Sequence, residues 1–241
     1  MSTTRLDNHL VERGLAATRS QAENHIKLGK VTVNGKVVLK PGFKMSKNAI
    51  VELTAPIRYV SRGGLKLESV ATQLKLDFQG KTVLDVGSST GGFSDYALQH
   101  GAAKIIAIDV GKNQMDQRLK TDQRIELHEQ TDIRDVKNLS TKIDYCLIDV
   151  SFISVRLVLG HLLSLIDYDV EVIAMVKPQF ETTDSLHKHK GVIKNENIRR
   201  KVLKAFEGWA KPYYKIIDKS DSLVPGPKGN LERFYLLKPV R

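Results

Sequence analysis

The feature that most constrains the fold lies between residues 82 and 100. An apolar run, Thr82-Val83-Leu84-Asp85-Val86, leads into Gly87-Ser88-Ser89-Thr90-Gly91-Gly92, and Phe93 to His100 has helical character. Such a run suits a short strand buried in a parallel sheet. Glycines belong where a chain turns sharply or where a ligand approaches the backbone too closely for a Cβ. The helix that follows offers unpaired amides at its first turn. Strand, glycine loop and helix together suit a nucleotide-like cofactor, although a plain tight turn would use the same glycines.

A dinucleotide is one candidate occupant. Its fingerprint wants a second glycine where this chain has Ser89, because the pyrophosphate packs on that backbone. S-adenosylmethionine carries no phosphate, so a serine hydroxyl obstructs it less, and Asp85 suits its ammonium end better than a diphosphate. The cofactor set on this reading is Asp85, Gly87, Ser88, Ser89, Gly91 and Gly92. The next strand, Ile105 to Ile108, ends in Asp109, about 20 residues past the loop, where an acid accepts hydrogen bonds from a ribose diol. After Ile125-Glu126-Leu127, Asp132 ends a third strand, either within reach of an adenine amino group or as the cap of a following helix.

The remaining chain alternates strand-like and helix-like patterns, which predicts an α/β domain with a mostly parallel sheet. Two further strands end in ionisable residues: Tyr145 to Ile148 stops at Asp149, and Val172 to Val176 stops at Lys177-Pro178. The ligand crevice of an open α/β sheet lies outside the carboxyl ends of its strands, so Asp149 and Lys177 should converge there. Desolvation of a lysine favours the neutral amine, and a neighbouring aspartate opposes that while fixing its orientation. Lys66 follows Ser61-Arg62-Gly63-Gly64, and Glu232 opens the last strand, Arg233 to Leu237, after the turn-forming Pro225 to Asn230. Taken singly, each of these two reads as a surface charge. Ser151 and Phe152 follow Asp149 at the rim, where an aromatic ring suits stacking on an extruded base as well as it suits a core.

Residues 1–54 read as a separate small unit. Leu6, Leu10 and Val11 share one face of a first helix that Gly14 ends; Thr18 or Ser20 caps a second, with Ala22 and Ile26 inward and Gly29 at its close. Val31, Val33 and Val37, Leu39 then alternate around Asn34-Gly35, a hairpin signal. Residues 55–60, with Pro56, read as a linker. Arg5, Arg13, Arg19, Lys27, Lys30 and Lys36 offer positive charge along this unit, suited either to a phosphate track or to an ordinary solvated face.

Composition sets the bounds. A chain of 241 residues with 41% hydrophobic content supports one good-sized core and a small second domain. A formal charge of +11 favours a polyanionic partner, because cations laid on phosphates release condensed counterions; solubility alone is the blander explanation. The single Cys146 forms no internal disulfide, and the opening residues lack a secretory layout, which fits a reducing cytoplasm. The most apolar stretch, Cys146 to Ile166, contains Asp149, Arg156 and His161, so no membrane span is expected. His187-Lys188-His189 reads as a solvated loop, and no metal site is expected.

Two resemblances sharpen this picture. Arg5-Leu6-Asp7, Leu15 to Ala22 and Ile26 to Gly35 resemble the αL RNA-binding module of small-subunit ribosomal protein four. That implies a small α+β domain gripping structured RNA through shape and backbone, with Arg5, Arg13, Arg19, Ser20, Lys27 and Lys30 at the contact. Residues 61–241 resemble the FtsJ-type 2′-O-methyltransferases through five ordered blocks: Ser61 to Leu67, Leu84 to Phe93, Asp149 to Ser154, Val176 to Glu181 and Pro225 to Glu232. The whole chain is similar to the TlyA group, in which that domain follows an αL module.

The resemblance implies a Rossmann-like class I methyltransferase fold and S-adenosylmethionine as donor. It implies Lys66, Asp149, Lys177 and Glu232 as a catalytic tetrad, with Lys177 at an attacking ribose 2′-oxygen. Ribosomal RNA or a ribosomal subunit is the implied partner, and a cytidine the implied target. A non-catalytic ribosome assembly factor is the alternative, weighed down by the intact tetrad; a membrane-active haemolysin is weaker still, since no apolar span or strongly amphipathic basic helix is present. Arg5-Leu6-Asp7 also suggests a pseudouridine synthase, which would have no use for the glycine loop or Asp109.

Overall fold

The computed structural model describes residues 3–16, 18–27, 29–54, 58–182, 192–193, 195–226 and 229–240; His187 and His189, Pro227-Lys228 and the side chain of Ser20 lie outside that description. The chain divides into two compact units, residues 1–62 and 63–241.

In the first unit β1 (Thr3–Arg5) leads into α1 (Leu6–Glu12), α2 (Arg19–Lys27), β2 (Val31–Val33), β3 (Lys36–Val37), β4 (Lys44–Ser46) and β5 (Val51–Leu53). Gly14 and Gly29 take positive φ beyond the helix ends, and the Thr18 hydroxyl accepts from the Gln21 amide at 3.2 Å, which caps α2. Leu6, Leu10, Ala22, Ile26 and Val31 form the core. Asn34 (φ 50°) and Gly35 (φ 75°) make the expected turn, and β2 pairs with both β3 and β5. One expectation fails: Val37 and Leu39 are exposed, and Val38 packs on the core instead. Val31 and Val33 are buried, so only the second arm is one residue out of step with the alternation, which in a strand exchanges the two faces. Tyr59 and Val60, read as linker, are buried, and the Val60 carbonyl accepts from the Asn24 amide at 3.0 Å.

From Gly63, the second residue of α3 (Arg62–Ala71), the second unit runs on through β6 (Thr82–Val86), α4 (Gly92–Gln99), β7 (Lys104–Asp109), α5 (Gln117–Lys120), β8 (Ile125–Glu129), β9 (Tyr145–Ile148), α6 (Val155–Leu162), β10 (Glu171–Val176), α7 (Pro178–Glu181) and α8 (Glu196–Ala210). It closes with β11 (Tyr214–Asp221) and β12 (Arg233–Pro239). The sheet order is β11-β12-β10-β9-β6-β7-β8, parallel from β10 to β8, with β12 and β11 antiparallel at one side. The inner strands are buried along almost every residue, which is why they read as apolar runs. Chain order runs outward from β6 in both directions, so the switch point, and with it the expected crevice, lies at the carboxyl ends of β6 and β9.

Candidate active site

The loop after β6 is tightly fitted. Gly87 has φ 81°, and a Cβ there would stand 2.6 Å from the Asp149 carbonyl oxygen; at Gly91, φ 89°, it would stand 2.3 Å from the Leu119 side chain. The Gly91 amide closes a turn onto the Ser88 carbonyl at 2.7 Å, and Gly92 starts α4. Asp85 is fully buried, its Oδ2 accepting from the Ser94 amide at 3.0 Å and the Ser94 hydroxyl at 2.6 Å. Its Oδ1 is buried with no hydrogen-bond partner among the described residues. Burial, reinforced by the nearby carboxylates of Asp149 and Asp109, pushes the Asp85 carboxyl up to about 7 against the Ser94 hydrogen bonds.

Asp109, at the end of β7, accepts from the Ser89 amide at 2.8 Å and from the Gly111 amide at 2.6 Å. It therefore shapes the glycine loop, a task the sequence pattern did not reveal. Asp132 caps the turn of 3-10 helix at Ile133–Asp135, accepting from the Arg134 amide at 2.9 Å and pairing with its guanidinium at 2.6 Å, which holds its carboxyl below the usual range. Capping does not withdraw it from the site: Gly87, Ser89, Asp109, Asp132, Asp149 and Phe152 all line one cavity of about 560 Å³. That is ample for a nucleoside-sized ligand.

Two ion pairs stand at the strand ends. Lys177 Nζ lies 2.5 Å from Asp149 Oδ1 and donates to the Ser151 hydroxyl at 2.7 Å. Lys66 Nζ, carried by α3, lies 2.5 Å from Glu232 Oε2, with 8% and 2% of the two side chains exposed. Sheet register brings the pairs to one edge: Val176 faces Arg233 across β10 and β12, so Lys177 and Glu232 leave the ladder side by side. Asp149 leaves the parallel neighbour β9 at the same end. Phe152 beside them is 88% exposed with φ 69°, which rules out the core role considered for it.

Several supporting residues carried no sequence signal. Arg199, buried on α8, donates to the Leu231 carbonyl at 3.1 Å and pairs with Asp221, which also takes the Arg233 guanidinium at 2.7 and 2.9 Å. These contacts bracket Glu232 in the chain. A Cβ on Gly226 would stand 2.9 Å from Glu232 Oε1.

In the first unit, Asp7 is buried and binds both Arg5, at 2.6 Å, and Arg19, at 3.1 Å; the Arg5 hydrogen bond leads in holding its carboxyl down to about 2. Arg19 and Lys27 also meet Glu23, at 3.6 and 3.2 Å. Arg13 is exposed and Lys30 half-buried.

A family model of FtsJ-like methyltransferases matches residues 59–238. The chain belongs to that family. A model of the S4 domain matches residues 4–51 of this FtsJ-like methyltransferase. The Bacillus subtilis candidate rRNA methyltransferase YqxC is 40% identical over 237 residues, covering 95% of this chain and 83% of its own. TlyA of Mycobacterium tuberculosis, a 16S/23S rRNA (cytidine-2′-O)-methyltransferase, is 35% identical over 239 residues, covering 97% and 89%. A solved structure from Streptococcus thermophilus, described as a candidate hemolysin, matches all of the chain and 90% of its own with a TM-score of 0.77 at 34% identity. The family implies S-adenosylmethionine as methyl donor. Among the described residues no helix is long and apolar enough to cross a membrane.

Proposed function

We propose that this FtsJ-like methyltransferase transfers a methyl group to the ribose 2′-hydroxyl of a cytidine in ribosomal RNA, with Lys177 holding the attacking oxygen. The observation that carries this reading is the double anchoring of Lys177. An ammonium has three N–H donors. Asp149 and Ser151 occupy two, which leaves a third for the substrate oxygen on this reading.

The donor fits the residues at hand. The unpartnered Asp85 Oδ1 and the neighbouring Asp109 and Asp149 carboxylates make a site that favours a cation, and the glycines leave room for close approach. Asp85, Gly87, Ser88, Ser89, Gly91 and Gly92 would hold the methionine end, Asp109 the ribose and Asp132 the adenine edge. When bound, S-adenosylmethionine supplies an activated methyl on a sulfonium. A ribose hydroxyl is a poor nucleophile, and a fixed cation beside its oxygen stabilises the charge that develops as it attacks. Asp149 orients Lys177, Glu232 holds Lys66 at the adjacent strand end, and exposed Phe152 offers a stacking face for an extruded base.

Residues 1–54 serve as the RNA grip on this reading, with residues 55–60 leading to the catalytic part. Asp7 presents Arg5 and Arg19 as a fixed pair, and Arg13, Ser20, Lys27 and Lys30 extend the contact along the backbone. The relatives named for ribosomal RNA support ribosomal subunits as the substrate, with the cytoplasm as the place of work.

The test is incubation with labelled S-adenosylmethionine and ribosomal subunits, followed by digestion and mass spectrometry of the nucleosides. A 2′-O-methylcytidine made by the wild type, and far more slowly by Lys177→Ala, is the expected product. A methyl on a base would overturn the mechanism, and no transfer at all would favour a non-catalytic assembly factor.

A further inference from the structure

Glu181 is buried beside the proposed site and has no part in the mechanism above. Only 1% of its side chain is exposed. Its Oε2 accepts from the Ser154 hydroxyl at 2.6 Å, its Oε1 from the Val155 amide at 2.7 Å, and the Arg156 guanidinium stands 3.3 Å away. The carboxylate thus spans two segments that leave adjacent strands, one running from Asp149 to Val155 and the other from Lys177 to Glu181.

We propose that Glu181 is a positioning residue for methyl transfer, clamping the Ser151-Phe152 segment against Lys177. This rests on the reading of Lys177 given above. Three relationships carry the inference. Lys177 and Glu181 lie at opposite ends of α7, so the one-turn helix is pinned at both: Lys177 to Asp149 and Ser151, Glu181 to Ser154 and Val155. Between these pins the intervening chain holds Phe152 at φ 69°, a conformation a bulky residue keeps only when its surroundings impose it. The Phe152 ring also lies 5.5 Å, centroid to centroid, from that of Phe180, the residue before Glu181. Releasing Glu181 frees the far end of the Ser151-Phe152 segment while the Lys177–Asp149 pair remains. Burial pushes the Glu181 carboxyl above its ordinary range, although the Ser154 and Val155 donors and Arg156 favour the charged form.

The amide of Glu181→Gln still accepts from the Val155 amide but cannot take both bonds as the carboxylate does, whereas Glu181→Ala removes both. The measurement is single-turnover methyl transfer to ribosomal subunits, with KM for subunits and calorimetric affinity for S-adenosylmethionine, on full-length wild type, Glu181→Gln, Glu181→Ala, Ser154→Ala and Lys177→Ala. Because displacements of about 1 Å cost up to roughly hundredfold in rate, Glu181→Ala should lose about ten- to hundredfold in transfer rate with cofactor affinity within about twofold. Glu181→Gln and Ser154→Ala should fall between it and wild type. If Glu181→Ala does not fold, these two milder variants decide by the same rate-against-affinity split. Full transfer rate in the variants, or parallel loss of cofactor affinity, overturns the proposal. A Lys177→Ala that transfers at the wild-type rate overturns the reading beneath it, whatever Glu181 does.

Discussion

Lys177 Nζ and Asp149 Oδ1 stand 2.5 Å apart at the ends of two neighbouring parallel strands, with 9% of the lysine side chain exposed. A charged pair so shielded is costly to break, because the remaining partner loses its compensation. The two halves of the pair should therefore fail differently. Lys177→Ala removes the cation from the proposed oxygen site and should lower the transfer rate by about 10²–10³, the usual effect of losing one such donor, with RNA affinity nearly unchanged. Asp149→Ala should lose activity and also lower the melting temperature, since it leaves a shielded ammonium unpaired. Single-turnover rates beside thermal melts separate the two.

The buried Asp85 makes cofactor affinity depend on pH. Its carboxyl is pushed up to about 7 in the folded protein against an ordinary value of 3.8. Between those values the folded chain holds a proton that the unfolded chain has lost, so stability without ligand should fall as pH rises through the window. A cationic ligand beside Asp85 favours the ionised form, so affinity for S-adenosylmethionine should rise with pH towards and through about 7. Asp85→Asn should flatten both trends. Calorimetric titrations and melts from pH 5 to about 8 test the pair of slopes together.

The parts of this architecture that were legible in sequence share one physical origin. β6, β7, β9 and β10 are buried on both faces, so their sequences are nearly uninterrupted apolar runs, and each ends at or just before an ionisable or glycine residue of the candidate site. β11 escaped notice because it is an edge strand: Tyr-Lys-Ile-Ile-Asp-Lys-Ser-Asp is charged, largely exposed, and shifts register between Ile216 and Asp218. β1 and β4 are three residues each and pair across some forty residues of chain, so neither carries a local pattern. Asp221 and Arg233 meet across the β11–β12 ladder and Arg199 reaches Asp221 from α8, so the trio carries no local pattern. Asp109 was read as a ligand for a ribose, and nothing local signalled that it also accepts from the Ser89 and Gly111 amides.

The Asp7 clamp predicts a coupling between Arg5 and Arg19. Both guanidiniums rest on one buried carboxylate, held down to about 2 chiefly by Arg5. Charge removal at either arginine should weaken RNA binding and reduce the slope of log affinity against log salt by roughly one phosphate contact. Asp7→Asn keeps the shape but weakens both anchors, so it should reduce RNA affinity although it raises the net positive charge. Since the folded carboxyl lies below its unfolded value, the clamp's contribution to stability is present at neutral pH and is lost as pH falls from about 4 towards 2. Filter binding over a salt series, with acid melts of wild type and Asp7→Asn, checks each statement.

Gly226 offers a test of whether Glu232 acts where it stands. The turn before β12 brings the Gly226 amide to the Asn230 carbonyl at 2.8 Å, and a Cβ on Gly226 would lie 2.9 Å from Glu232 Oε1. That is closer than real Cβ contacts come, and Glu232 cannot retreat freely because its Oε2 is paired with Lys66 at 2.5 Å and its side chain is 2% exposed. Gly226 itself does not take positive φ, so an alanine there meets no left-handed backbone. Gly226→Ala should therefore fold, shift the Lys66–Glu232 pair by a few tenths of an ångström, and lower the transfer rate roughly tenfold with little change in affinity for S-adenosylmethionine. Shortening the acid in the double variant Gly226→Ala, Glu232→Asp should relieve the contact, so that it loses less than the sum of the two single changes. Strict additivity of the two losses would mean that the Cβ acts elsewhere than on Glu232.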